Sequence, residues 1–165
     1  MLPYPTLADF NQWVNVHIYD SVAELSGADY RADKGAFFGS VHATLNHLLL
    51  VDRLWCGRIR GTPLKGAKLT DILYDDFAAL RAAREAEDVA LIELIAGLSD
   101  EAMTTPITYT TTAGDPKTTE PWLILSTLFN HQTHHRGQVH CMLTQCGITP
   151  TDIDIMYYAW DKGLA

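Results

Sequence analysis

Residues 121–147, PWLILSTLFNHQTHHRGQVHCMLTQCG, restrict the possible folds more than any other stretch of this chain. Pro121 suits the first position of a helix, where its missing N–H costs nothing. Gly147 suits the residue just past the end, and Pro150 follows shortly. Wound at about 100° per residue, Ile124, Leu128, Val139, Met142 and Cys146 fall on one apolar stripe. His131 and His135 lie in the middle of that stripe, so their rings leave successive turns in the same direction. His134 projects roughly 100° away and His140 lies roughly opposite His131. The segment predicts one long helix whose core-facing seam is interrupted by two imidazoles.

Two core histidines, each hydrogen-bonded to a neighbour, would account for this. So would a metal site, because His-x-x-x-His on a helix presents two nitrogens to one ion. Gln132 stands where a zincin carries its Glu, so a zincin is excluded and a third ligand must come from elsewhere. Residues 36–60, AFFGSVHATLNHLLLVDRLWCGRIR, predict a second helix with Phe37, Val41, Leu45, Leu48, Trp55 and Ile59 on one face. Leu50, Val51 and Leu54 widen that face beyond half the circumference, the pattern of a central, largely buried helix. His47 sits inside this arc beside Val51 and Leu54 and is the candidate third ligand. Asp52 lies on an apolar-rich side, where it can pair with Arg136 or orient a histidine as an outer carboxylate. His42 projects toward a polar edge.

The rest of the chain follows the same period. Residues 5–25 predict a first helix on Leu7, Phe10, Val14, Ile18, Val22 and Leu25, flanked by Asn11, Trp13, Asn15 and His17. Those flanking residues fit either a solvated edge or a polar wall facing a site. Residues 26–35 are a loop. Residues 71–98 predict a third helix with Thr70 as N-cap. Its seam runs through Leu73, Phe77, Leu80, Leu91, Leu94, Ile95 and Leu98, and its charged middle, RAAREAED, reads as a solvated face. Residues 104–120 break the period; Ile107, Tyr109 and Thr111 alternate around an AGDP turn, predicting a small β-hairpin. Residues 151–165 hold a short helix whose Tyr157, Tyr158 and Trp160 pack back on the bundle or make a subunit contact. The expected fold is all-α: an up-down four-helix bundle in one domain, residues 1–165, with a hairpin before the last long helix and a short C-terminal helix.

Composition narrows the function. With 20 acidic and 12 basic residues the net charge is −8, so nonspecific binding to nucleic acid or anionic membrane is disfavoured. No apolar run is long enough to span a bilayer. The opening MLPYPTLADF lacks the basic and apolar regions of a signal peptide, so a cytoplasmic location is expected. Cys56, Cys141 and Cys146 have no CxxC spacing and read as reduced thiols. There is no glycine-rich phosphate loop and no GxSxG nucleophile signature.

Three segments, FNQWVN (10–15), SVHATLNHLLLVDRLW (40–55) and NHQTHHRGQVH (130–140), resemble the DinB family over nearly the whole chain. The resemblance implies a four-helix bundle, a homodimer, and a divalent metal held by three histidines, which correspond to His47, His131 and His135. Nitrogen ligands suit zinc, nickel, iron or copper, with zinc or nickel the expected ions. Three protein ligands leave a position open for water or substrate, as catalytic sites do. The chemistry that follows is hydrolysis, or transfer from a low-molecular-weight thiol such as bacillithiol or mycothiol, which some relatives resemble in using. The expected function is a thiol-dependent S-transferase or isomerase acting on a small electrophile. A metal-dependent hydrolase, a non-catalytic metal-binding stress-response protein and a purely structural bundle are the alternatives. His17, Asp52 and His134 are candidate general bases, and Gln138 can bond a ligand. Gly137, inside the helix, is expected to let another helix approach closely.

Overall fold

The computed structural model describes residues 4–165, so Met1–Pro3 of the opening decapeptide lie outside the described residues. Four long helices form the expected bundle: α1 (Tyr4–Val22), α3 (Val41–Ile59), α4 (Phe77–Ala96) and α6 (Pro121–Gln145). Two short helices, α2 (Gly27–Arg31) and α5 (Asp100–Thr104), lie in the connections, and α7 (Ile155–Asp161) ends the chain. The hairpin falls where the alternation placed it: β1 (Ile107–Thr110) pairs antiparallel with β2 (Pro116–Thr119), Tyr109 opposite Lys117. Among the described residues no helix is long and apolar enough to cross a membrane.

The long helices pack α1 on α4 and α6, and α3 on the same two. One core cluster joins Val14 and Ile18 of α1 and Val139 and Met142 of α6 with Leu45 and Leu48 of α3 and Leu80 of α4. The other joins Ala8 of α1 and Leu125 and Leu128 of α6 with Cys56 of α3 and Leu91 of α4. Hence α1 and α6 run one way and α3 and α4 the other, so the long helices run up-down-down-up and the simple up-down order expected from the sequence is corrected. Two parallel neighbours need a connection that returns along the bundle, and residues 60–76 supply it. That strap matters for the site, because Leu69 lies in it.

Between the two apolar clusters lies a buried polar layer. Asp88 accepts from Asn11 Nδ2 at 3.1 Å and Asn15 Nδ2 at 2.9 Å, and sits 2.9 Å from Arg84 Nη2. Arg84 Nη1 donates to Asp52 Oδ2 at 2.6 Å, and Gln132 Nε2 donates to the same oxygen. Arg136 Nη1 donates to Asn11 Oδ1 at 2.7 Å. All seven side chains are buried. Four opposite charges thus balance inside the bundle, which is what makes their burial tolerable.

Several expectations need correction. The 81–88 segment is not a solvated face: Arg84, Glu87 and Asp88 are buried, Arg84 to neutralise Asp52, Asp88 to bind the α1 asparagines, and Glu87 to pair with Arg53 at 3.1 Å. Asn11 and Asn15 are core residues, not a solvated edge. Asp52 pairs with Arg84 rather than Arg136 and bonds no histidine. The third helix starts at Phe77, capped by Asp76 and not by Thr70. Residues 71–76 are instead held to α3, Tyr74 N–H donating to Asn46 Oδ1 at 2.9 Å. The second helix starts at Val41 after the cap Ser40, so Phe37 is not on its apolar face and is 83% exposed. His42 is buried, its Nε2 3.2 Å from the Tyr74 carbonyl. Gly137 meets nothing a Cβ would touch, so no helix packs closely there. Of the tail aromatics only Tyr158 is buried.

Candidate metal centre

The structure brings His47, His131 and His135 together, with one ring nitrogen from each lying within 4.8 Å of the others. His131 and His135 leave α6 on successive turns, and His47 meets them from α3, the antiparallel neighbour. His47 Nε2 lies 3.0 Å from His131 Nε2, about the separation of two ligands at right angles on an ion with bonds of about 2.1 Å.

Outer groups set the tautomers. The His47 Nδ1–H donates to the Leu69 carbonyl at 2.8 Å, leaving Nε2 as a lone pair. The His135 Nδ1–H donates to Gln138 Oε1 at 2.8 Å, which frees Nε2 in the same way. Gln138 Nε2 in turn donates to His134 Nε2 at 3.2 Å. Phe38 stacks on the His47 ring at 3.8 Å between centroids, fixing its plane. His131 Nδ1 is buried and has no partner among the described residues. Lone pairs aimed inward, with donors pinned outward on two of three rings, are the donor set a d-block cation takes.

The electrostatics agree. Burial pushes His47 down to about 4, the Leu69 carbonyl pulling back upward and His135 adding to the fall. Burial pushes His131 down to about 3, with His135, His47 and His134 adding to it. His135 is also lowered by burial and by His134, against the upward pull of Gln138. All three imidazoles are therefore neutral near pH 7 and can donate to a metal.

The cluster opens on a pocket of about 560 Å³ with Phe38, Val51, Leu54 and Leu69 in its wall. Among the described residues no Asp or Glu lines it. His134 is at its rim, exposed. His17 is not near it: that ring lies tilted against Trp13, 4.1 Å between centroids, and lines a larger cleft of about 660 Å³ against α1 and α4. Among the described residues no metal-ligating trio lies in that cleft, so its size does not make it the chemical site. Asp52 is likewise in the polar layer, leaving His134 as the one candidate base that reaches the pocket. Sequence reasoning pointed to the three histidines that the structure brings together and to Gln138 but missed the Leu69 carbonyl, which no side-chain pattern reports. It also missed Gly57: a Cβ there would stand 2.8 Å from the Thr62 carbonyl, so this glycine lets the strap leave α3. A glycine inside an otherwise apolar helix was the available signal.

A sequence model described as the DinB family matches residues 2–163 of this chain. The chain is also similar to a protein of Bacillus subtilis (strain 168) named Protein DinB, 28% identical over an alignment 164 positions long that takes in 92% of this chain and 92% of the relative.

Proposed function

Because the chain belongs to the DinB family, we propose that it binds one divalent metal through His47, His131 and His135 and uses it in a thiol-dependent S-transferase or isomerase reaction on a small electrophile. The observation that carries this reading is the convergence of three neutral imidazoles in the wall of a solvent-open pocket that, among the described residues, no carboxylate lines. A divalent ion there supplies Lewis acidity, lowering the pKa of a thiol or water that reaches it. Zinc or nickel suits three nitrogens better than calcium or magnesium does.

The pocket's own groups favour the thiol over hydrolysis. Amide or ester cleavage needs a group to move protons between water and the leaving atom. Of the candidate bases among the described residues, only His134 reaches the pocket, and its Nε2 is already engaged by Gln138. A thiol loses its proton once, to solvent, and the thiolate then forms the S–C bond as the electrophile's own leaving group departs with its electron pair, so it asks less of the wall. Val51, Leu54 and Leu69 give an electrophile an apolar seat. Leu69 and Gln138 hold the ligand rings, and Phe38 covers one of them. The homodimer, which rests on the resemblance, and a cytoplasmic location, which rests on reading the cysteines as reduced thiols, belong to the same proposal; analytical ultracentrifugation checks the first.

The test starts with tag-free protein and elemental analysis of wild type and the His47/His131/His135 triple alanine variant. The expected result is stoichiometric metal in the first and none in the second, with metal-dependent consumption of a low-molecular-weight thiol by an electrophile in the first alone. No metal in wild type after zinc or nickel is added back would leave a structural bundle. Metal without thiol consumption would leave a binding protein.

A further inference from the structure

The histidine pocket continues into a second cavity of about 740 Å³ between the 60–68 strap and the hairpin, with Leu54, Arg58, Thr111 and Thr112 in both walls. Its charge is unlike the molecule's. The chain has 20 acidic and 12 basic residues, yet Arg58, Lys65 and Lys68 line this cavity and, among the described residues, no Asp or Glu lines either part.

Arg58 is the fixed member. Its guanidinium lies 4.3 Å from the Trp55 ring centroid and 4.6 Å from that of Tyr109. Two aromatic faces hold the group in place without neutralising it. Among the described residues its one hydrogen bond is a long one, Nη2 to the Thr110 carbonyl at 3.4 Å. The other arginines of α3 and α4 that approach this burial, Arg53, Arg81 and Arg84, each meet a carboxylate. A half-buried guanidinium with spare N–H groups is a fork for a planar oxyanion.

We infer that Arg58, aided by Lys65 and Lys68, receives a carboxylate or phosphate on the small molecule whose reacting end lies at the three histidines. The substrate class is therefore an anionic molecule with an apolar middle, spanning from Leu54 and Leu69 to the hairpin. The inference rests on the proposed use of the histidine pocket as a substrate site, but anion capture by Arg58 can be measured apart from any metal.

The probes are 4-phenylbutyrate, 3-phenylpropyl phosphate and uncharged 4-phenylbutanol, titrated into the full chain as purified and again after chelator treatment. The readouts are calorimetry and the Trp55 indole NMR signal. The anions are expected to bind about tenfold more tightly than the alcohol, the low end for a hydrogen bond to a charged group. Arg58→Met keeps the apolar stem and should abolish the preference; Arg58→Lys keeps the charge without the fork and should fall between. The tighter anion tells carboxylate from phosphate. Persistence of an Arg58-dependent preference after metal removal supports the inference even if the histidines hold no ion. A preference that vanishes with the metal and ignores Arg58 overturns it while the metal reading stands. Equal binding of acid and alcohol, or no binding of either anion, overturns it too.

Discussion

Replacing Asp52 with Asn tests whether the buried polar layer is a charge-balanced unit. Asp52 is fully buried and Arg84 nearly so, with Nη1 and Oδ2 2.6 Å apart. Burial alone pushes the Asp52 carboxyl upward, and the Arg84 guanidinium opposes this. Arg84 feels the mirror image: burial pulls it down, and Asp88 and Asp52 more than restore it. Asn keeps the shape and an acceptor for Gln132 but removes the charge, leaving Arg84 and Arg136 to share Asp88. Coulomb's law at an effective dielectric of 20 gives roughly 4 kcal/mol for unit charges 4 Å apart. Breaking one side of a buried pair typically costs about 3–5 kcal/mol. At about 2–4 °C per kcal/mol for a chain of this size, the melting temperature should fall by roughly 6–20 °C. The assay is urea unfolding of Asp52→Asn, Arg84→Met and the double variant. The double should be more stable than the sum of the singles predicts by about 1–3 kcal/mol, since neither charge is left alone. A loss below about 1 kcal/mol in Asp52→Asn, or strict additivity, would show that the layer is solvated and that the argument from burial is wrong.

Three other perturbations have defined outcomes. His47→Ala should lose the metal while keeping its helical circular dichroism, and chelation of wild type should lower the melting temperature. At a hundredfold excess of metal over its dissociation constant that linkage amounts to about 2.7 kcal/mol; retained metal would refute the ligand assignment. Gly57→Ala gains about 1 kcal/mol of helix propensity but drives a Cβ to 2.8 Å from the Thr62 carbonyl. A net loss of about 1–3 kcal/mol is expected, with weaker metal binding as the Leu69 carbonyl shifts; a stabilised variant with unchanged affinity would contradict this. In metal-free protein the folded values of His47 and His131, about 4 and about 3, lie below the ordinary value near 6.5. The unfolded chain then binds more protons in that window, so stability should fall as pH drops from about 6.5 to 4 and be flat above 7. Urea midpoints against pH check it, and a His47→Gln/His131→Gln variant should show a shallower fall; equal slopes would sink the assignment.

The fold class, the hairpin, the bounds of α6 and the three clustered histidines follow from the sequence by itself. Each rests on information local to one segment: a 3.6-residue apolar period, an alternating run, Pro121 and Gly147 as start and stop, and His131 and His135 one turn apart. His47 was legible for a related reason, because an imidazole on an otherwise apolar arc must face something inside. Tertiary structure alone decided what each polar residue faces. Arg84 and Asp88 look solvated in RAAREAED because charge marks surface on average, and only the arrival of Asp52 and the α1 asparagines from distant segments makes their burial tolerable. Thr70 looks like a cap because its local chemistry is right, but the strap it belongs to must first run back along the bundle so that α4 can lie parallel to α3. That return places the Leu69 carbonyl on His47 and brings Lys65, Lys68 and Arg58 to one cavity. A backbone carbonyl leaves no trace in residue type, and three cations scattered over eleven positions have no common face until the chain turns between them.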